Sequence, residues 1–480
     1  MRGRHNGAAR TVVAAVAFAA MAAGAEAQTL EQAITSAYVN NPTLNAQRAA
    51  VRAADENVPK ALSGYRPTVT GAASAARTAL TTSVPPSAIG GVASGAANGP
   101  IVIATPGAKF NSTLNQSTLS LTVNENLYNG FRTANSVRAA EAQVRQSQET
   151  LRGTEAQVLL DAVTAHMNVL RDEALVQLQQ QNLKALGEQL RAAKDRFEVG
   201  EVTRTDVALA QAAEAGGRAS LIQAQSNLNT SRAVYRQVVG FEAGKLSAGR
   251  PIEQMLPRSY DLAVNDGLQR NPSVVSAQYA VDYAALQVKV AEGALLPSVS
   301  AQGTLQRANE PTTQAKRQDE ASVGLAATAP IYQGGAEYAA VRQAKEVLGQ
   351  TRIQMDVTRD QVRAQIVQFW SQLEASRSQI QAAQTQVNAQ TIAVQGITDE
   401  YKVGQRTISD VLTAQANLVQ AQSTLVSAQR DRVVASYAVL GAIGRLDMNS
   451  LGLQVATYDP EEHYRQVRDS WGGLRTPDGR

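Results

Sequence analysis

The sequence contains no cysteine. Disulfides, thiolate metal sites, cysteine nucleophiles and a lipid carried on an N-terminal cysteine are therefore excluded. Aromatic residues are also scarce, at 4%, although 44% of the 480 residues are hydrophobic. Alanine makes up most of that difference. A compact core normally uses larger side chains, so the composition points to long, closely packed helices. Histidine occurs only at His5, His166 and His463. His166 reads as a structural residue inside a helix. No nucleophile–base pair or metal-ligand spacing accompanies any of the three, so neither enzyme activity nor a cofactor is expected. The formal charge is +4 without a dense Lys/Arg run, which argues against a nucleic-acid partner.

Residues 1–27 read as a secretory signal peptide. Arg2, Arg4 and Arg10 form a basic start, an apolar run covers Thr11 to Gly24, and Ala25-Glu26-Ala27 supplies small residues for cleavage before Gln28. Its removal takes three of 45 basic and one of 41 acidic residues, leaving about +2. No later stretch is apolar enough to cross a bilayer as a helix. The exported chain is then either soluble or inserted as a β-barrel.

What the chain does have is internal repetition. Asn41-Pro42 recurs as Asn271-Pro272, and Arg66-Pro67-Thr68-Val69 as Leu296-Pro297-Ser298-Val299, both at an offset of 230. Leu127-Tyr128-Asn129-Gly130 then matches Ile331-Tyr332-Gln333-Gly334 at an offset of 204. Phe197-Glu198-Val199-Gly200 matches Tyr401-Lys402-Val403-Gly404, Asp206-Val207 matches Asp410-Val411, and Val239-Gly240 matches Ile443-Gly444, all at 204. The chain is thus a tandem duplication. The first repeat spans 28–240 and the second 259–446, with a linker at 241–258 and a tail at 447–480 that carries no recognisable motif. The first copy has 26 extra residues between Val69 and Leu127.

Each copy follows one plan. Residues at helical spacing are followed by two extended segments, the second ending at Tyr128 or Tyr332. A long helix comes next, at about 132–196 and 336–400, then a Val-Gly turn and a return helix at about 205–240 and 408–444. The extended segments alternate. Leu119, Leu121 and Val123 interleave with Ser120, Thr122 and Asn124; Val299, Ala301, Gly303 and Leu305 do the same, as do Val323, Leu325, Ala327 and Ala329; the first segment, near Thr68 to Arg77, is weaker. Period two gives one apolar and one polar face. Segments of about 10 residues suit tilted membrane strands, or half-buried strands of a soluble sheet. The Gly/Pro/Ser-rich stretch 81–110, with Gly90, Gly91 and Gly95, reads as an extracellular loop.

The long helices would each span about 100 Å. Leu412, Val419, Val426, Val433 and Leu440 lie seven apart, as do Leu221, Leu228 and Tyr235, with alanines beside them. Such stripes form coiled-coil seams. An ordinary soluble coiled coil would show the same stripes. Four strands cannot close a barrel in lipid. Two chains would give eight strands and a filled barrel, whereas three would give 12 and a conducting lumen.

Ala329-Pro330-Ile331-Tyr332-Gln333-Gly334-Gly335, with Val341 and Gln343-Ala344, resembles the outer-membrane efflux protein family typified by TolC. Tyr401 to Leu412 resembles that family's periplasmic helix turn, and Phe197 to Val207 the corresponding turn of the first repeat, most like its type I secretion branch. The resemblance covers about residues 29–447. It implies an α+β membrane protein, a trimeric 12-stranded outer-membrane β-barrel continuous with a long periplasmic α-helical barrel. It also implies passive export together with a periplasmic adaptor and an inner-membrane ABC transporter or proton-driven pump. Cargo would be protein or small toxic molecules; a non-pore periplasmic coiled-coil protein is the alternative class. By the same resemblance the closed end lies at the two Val-Gly turns. Asp410 matches a pore-ring aspartate, Tyr401 and Arg406 match residues that tie the inner helices to their neighbours, and Thr205 and Asp206 match their partners. Arg204 is a further candidate near Asp206. Thr413 departs from members that carry a second aspartate there, implying fewer ring charges. Arg406 is expected to bond to the first-repeat turn, and Asp410 to face the axis, although capping a helix start is the ordinary role of such an Asp.

Overall fold

A computed structural model of the chain describes residues 27–85, 87–89, 103–105, 107–312, 315–477 and 479. The expected signal peptide, apart from Ala27, and the centre of the expected loop, with Gly90, Gly91 and Gly95, lie outside these residues. The elements in order are α1 (Leu30–Asn40), α2 (Pro42–Asp55), α3 (Asn57–Leu62), β1 (Thr68–Val84), β2 (Ser87–Ile89), β3 (Ile103–Thr105) and β4 (Ala108–Tyr128). Then follow α4 (Arg132–Glu198), α5 (Arg204–Val239), α6 (Tyr260–Arg270), α7 (Pro272–Gly293), β5 (Ser298–Asn309), β6 (Arg317–Thr328), α8 (Ala336–Lys402), α9 (Ile408–Ala442) and α10 (Pro460–Val467). None of the described helices is long and apolar enough to cross a membrane.

The recurring Asn-Pro pairs start helices. Asn41 accepts hydrogen bonds on Oδ1 from the Thr43 and Leu44 amides at 2.9 and 3.4 Å, and Pro42 fills the first helical position, where no amide is needed. Asn271 repeats this for α7, accepting from the Ser273 amide at 2.8 Å. Asn271 also donates through Nδ2 to the Ala442 carbonyl at 2.8 Å, tying the end of α9 to this junction.

Two compact units emerge, and each draws on both repeats. The first takes residues up to 40, 160–252 and 375–434. In it, α1 packs on α5, and Ser36 Oγ donates to the Val239 carbonyl at 2.8 Å. Ser231 Oγ donates to Asp172, and Arg232 pairs with Glu173 at 2.9 Å, joining α5 to α4. His166 is fully buried beside Tyr235, with Nε2 2.9 Å from the Ser247 carbonyl. That contact needs a proton on Nε2, and burial pushes the imidazole pKa down, so the ring is neutral. The structural role expected of His166 fits this setting.

The second unit takes 41–159, 253–374 and 435–480 and holds the sheet. The strand order is β1-β4-β5-β6, with every pairing antiparallel. All four helical connections leave one end of this sheet, and both hairpins lie at the other. Register puts Val69, Leu119, Leu121, Val123, Leu305, Val323 and Leu325 on one face, and Thr70, Ser120, Thr122, Gln302, Thr304 and Ser322 on the other. The alternation read from the sequence is therefore real. The apolar part of the first face is bare, with Val323 93% and Leu325 73% exposed, and the ion pairs of Asp319 with Arg307 and Arg317 lie on the same face toward the hairpin end.

Three expectations change. β6 stops at Thr328 rather than at Tyr332, because Pro330 has no amide to give a ladder. β1 and β4 run 17 and 21 residues, well beyond 10, so the expected loop 81–110 is partly strand. Its Ser/Thr-rich flanks satisfy their backbone by pairing with each other. In α9 the most buried line is Ala414, Ala421, Ala428, Ala435 and Ala442, while Leu412, Val419 and Val426 are only half-buried. Small residues let backbones approach most closely, so the alanine row becomes the seam. The tail, which carries no recognisable motif, is folded over part of its length. α10 packs on α2, with His463 Nδ1 2.9 Å from Asp55 Oδ2 in a buried pair and Tyr464 against Val58, Ala140 and Val144.

Candidate functional site at the two helix turns

α4 is joined to α5, and α8 to α9, by the same local device. In the first turn the Gly200 amide donates to Phe197 O at 3.0 Å and the Glu201 amide to Arg196 O at 2.9 Å. In the second, Gly404 donates to Tyr401 O at 3.1 Å and Gln405 to Glu400 O at 2.9 Å. The glycines have φ of +81° and +80°, a left-handed conformation that closes a helix end cheaply only without a Cβ.

Each return helix then starts with a capping box. The Thr203 amide and hydroxyl donate to Asp206 Oδ2, both at 2.8 Å, and the Asp206 amide returns a bond to Thr203 Oγ1 at 3.3 Å. The Thr407 amide and hydroxyl donate to Asp410 Oδ2 at 3.0 and 2.9 Å, and the Asp410 amide donates to Thr407 Oγ1 at 3.3 Å. The repeat is reproduced bond for bond. Thr-x-x-Asp is a legible cap signature, so Thr203 and Thr407 could have been picked out from the sequence and were not.

The turns meet through apolar packing. Ala193, Ala210 and Ile408 form a buried cluster joined by Leu190, Val207, Tyr401 and Leu412. The Arg196 guanidinium lies over the Tyr401 ring, 4.8 Å from its centre. Arg196 also sits 3.9 Å from Glu201 in its own turn. At the equivalent place in the second repeat stands Glu400, which pairs with Arg406.

That pairing differs, within one chain, from the expected bond to the first-repeat turn. Within the chain, Arg406 Nε donates to Glu400 Oε2 at 2.9 Å rather than reaching the first turn, because this partner is only six residues away across a tight turn. Asp410 takes the ordinary capping role through one oxygen. Hydrogen bonds from the Thr407 amide and hydroxyl hold its carboxyl below the usual range, helped by the charge of Arg406. The bond to Glu400 raises Arg406 further, with Asp410 adding to it. Arg204 and Thr205 are exposed beside the first cap. Thr413 is exposed and donates to the Ser409 carbonyl at 2.8 Å, one turn along the face that Asp410 begins. The turns thus gather Tyr401, Arg406, Asp410 and Asp206 at one end of the first unit, and sequence reasoning missed Glu400 and Arg196. No group of His, Asp or Glu suited to holding a metal occurs among the described residues.

Comparison with known proteins agrees with this architecture. The family described as "Outer membrane efflux protein" matches residues 33–240 and 263–445, which fall within the two repeats. The chain is 42% identical over 457 residues to the outer membrane efflux protein BepC of Brucella suis, covering 94% of this chain and 93% of that one. It is 25% identical to the alkaline protease secretion protein AprF of Pseudomonas aeruginosa, over 69% of this chain and 70% of the other. Its fold is similar to the Campylobacter jejuni CmeC outer membrane channel, with a TM-score of 0.72, 17% identity, and coverage of 92% of this chain and 89% of that one.

Proposed function

The chain belongs to the outer membrane efflux protein family and is an outer-membrane protein, and on that premise we propose that three copies form a passive export duct. The observation that carries this is the sheet. One face carries a bare apolar band, bounded by Arg307, Arg317 and Asp319 on the side away from the helices, and among the described residues the outer edges of β1 and β6 have no strand beside them. In lipid each unpaired backbone group would cost several kcal/mol. Joining β6 of one copy to β1 of the next removes both edges. Two copies would give a barrel filled by its own side chains, while three give 12 strands and a lumen. The polar face of Thr70, Ser120, Thr122, Gln302 and Thr304 would line that lumen. The same count brings α4, α5, α8 and α9 of three chains together as a helical tunnel in the periplasm.

In this reading the six turns form the closed inner end. Three Asp410 side chains would crowd like charge around the axis and favour cations. Capping uses only Oδ2, so Oδ1 stays available to face the pore. Energy would come from an inner-membrane transporter linked by a periplasmic adaptor, since nothing in the duct itself supplies it. Likeness of the Phe197–Val207 turn to the type I secretion branch, and to a relative named for protease secretion, supports protein cargo with an ABC transporter. A 42% identical relative named as an efflux protein supports small-molecule cargo with a proton-driven pump.

The test is native mass measurement in detergent together with conductance in planar bilayers. The expected result is a trimer that conducts. A stable monomer that keeps its β-sheet signal would overturn the proposal. Crosslinking to the inner-membrane partner decides the cargo class, with an ABC transporter expected for protein secretion.

A further inference from the structure

The tail leads to a surface that the duct does not use. After α10, Val467 is buried, and Arg468 lies 3.5 Å from Glu141 at the start of α4. The Arg66 Nη1 then donates to the Ser470 carbonyl at 2.5 Å. Arg66 stands two residues before β1, at the end of the sheet where the helices attach. The chain is therefore pinned at the foot of the strands. From that point every side chain turns outward: residues 471–477 are all exposed. Trp471 lies under the Arg66 guanidinium, 4.7 Å from ring centre to cation, yet remains 75% exposed. Leu474 is fully exposed. Tyr65, one residue from Arg66, is also exposed.

A soluble surface has little reason to hold a tryptophan in a fixed place and leave it bare. Tryptophan is enriched at membrane–water interfaces, where its ring sits at headgroup level, and leucine adds apolar contact just below. Arg66 and Arg475 supply positive charge beside them, matching lipid phosphates. The bare apolar face of the sheet begins at Val69, three residues beyond Arg66, so the patch continues a surface already suited to lipid. We propose that the segment Trp471–Arg475 is an interfacial anchor that lays the tail onto the inner-leaflet headgroups of the membrane around the barrel. This rests on reading the sheet as part of a membrane barrel.

The chain has two tryptophans, which makes the test clean. Trp370 is in α8, half-buried, with Nε1 donating to Glu374 at 3.1 Å. Trp370→Phe keeps the ring and leaves Trp471 as the only tryptophan emitter. The full chain is reconstituted into phosphatidylethanolamine–phosphatidylglycerol vesicles carrying a spin label either near the headgroup or near the acyl-chain end. Trp471 should be quenched about twofold more by the shallow label than by the deep one. Leu121→Trp, in a chain with Trp370→Phe and Trp471→Phe, places a reporter on the apolar face of β4 and should show the reverse depth preference. If Leu121→Trp is quenched and Trp471 is not, the anchor is refuted while the barrel stands, and a protein surface covers the patch instead. If neither is quenched, both readings fail. Quenching of Trp471 alone would refute the strand reading and, with it, the proposal of an anchor beside a barrel.

Discussion

Replacing Tyr401 by phenylalanine gives opposite results depending on whether a neighbouring chain is present at the closed end. The ring is held by Ala193, Ala210 and Ile408 and lies under Arg196. Its hydroxyl is buried, with no hydrogen-bond partner among the described residues. A buried hydroxyl left unpaired costs about 1–3 kcal/mol. In the proposed trimer the side chains that cover the hydroxyl shift so that the first-repeat turn of an adjacent copy supplies the acceptor, where Asp206 is capped through Oδ2 alone. Tyr401→Phe then removes about 1 kcal/mol of net bonding per copy, or about 3 for three copies acting together. That is roughly a hundredfold shift of the closed–open equilibrium toward open. If the hydroxyl were orphaned in the assembly as well, phenylalanine would relieve a penalty and leave the pore as closed as before, or more so. Single-channel recording in planar bilayers reads the difference as time spent in the high-conductance state. Adding Arg406→Ser should open the pore further by a smaller step, because its pair with Glu400 is half-exposed and screened by salt. Parent-like conductance of the Tyr401→Phe trimer would refute the interchain bond.

Asp410→Asn should lower cation selectivity while keeping most of the cap, whereas Asp206→Asn should leave selectivity nearly unchanged; reversal potentials in a salt gradient check both. Because the Asp410 pKa is depressed in the folded protein, its charge and its share of stability are complete above the ordinary aspartate value of about 3.9 and fade as pH falls through the lower folded value. Selectivity that persists at pH 5 shows the cap outweighing the crowding of three like charges in the proposed ring, which acts in the opposite direction. Gly444→Ala should cost about 3 kcal/mol and lower the thermal unfolding temperature, because φ is +75° and a Cβ would run into the Arg270 carbonyl. Gly349→Ala, in open space on α8, is the neutral control. An epitope inserted at Gly95, between β2 and β3 of the first-repeat hairpin, should be labelled on intact cells; labelling only after the outer membrane is broken would contradict the orientation.

The features that could be read from the sequence are those whose physics is local. Asn41-Pro42 and Asn271-Pro272 act within three residues of themselves, so their meaning as helix starts survives without a structure. The alternation of Leu119, Leu121 and Val123 is likewise a property of one strand, and the duplication aligned the turns around Gly200 and Gly404. Contacts chosen in space were not legible. His463 meets Asp55 across 408 residues, and nothing in the sequence around either one announces the other. Arg406 had several acidic candidates, and turn geometry selected Glu400. Asp410 shows a subtler failure. Its residue type suits a pore ring and a cap equally, and only Thr407 three positions earlier points to the cap.

The inverted charge at equivalent positions of the two turns has a consequence for how a duplicated protein can shut. A unit that is simply doubled ends in two identical tips, and identical charged tips would repel if three copies packed six of them together as proposed. Here the last turn of the first long helix carries Arg196 and that of the second carries Glu400. In the proposed ring these two unlike residues can face each other across neighbouring tips, so divergence after duplication can convert part of that repulsion into a circle of contacts between unlike charges. Such a circle has a built-in weakness, because ions in the surrounding fluid compete for every contact in it. The ease of opening should then rise with ionic strength, which links the resting state of the duct to the salt content of the compartment in which its tips are bathed.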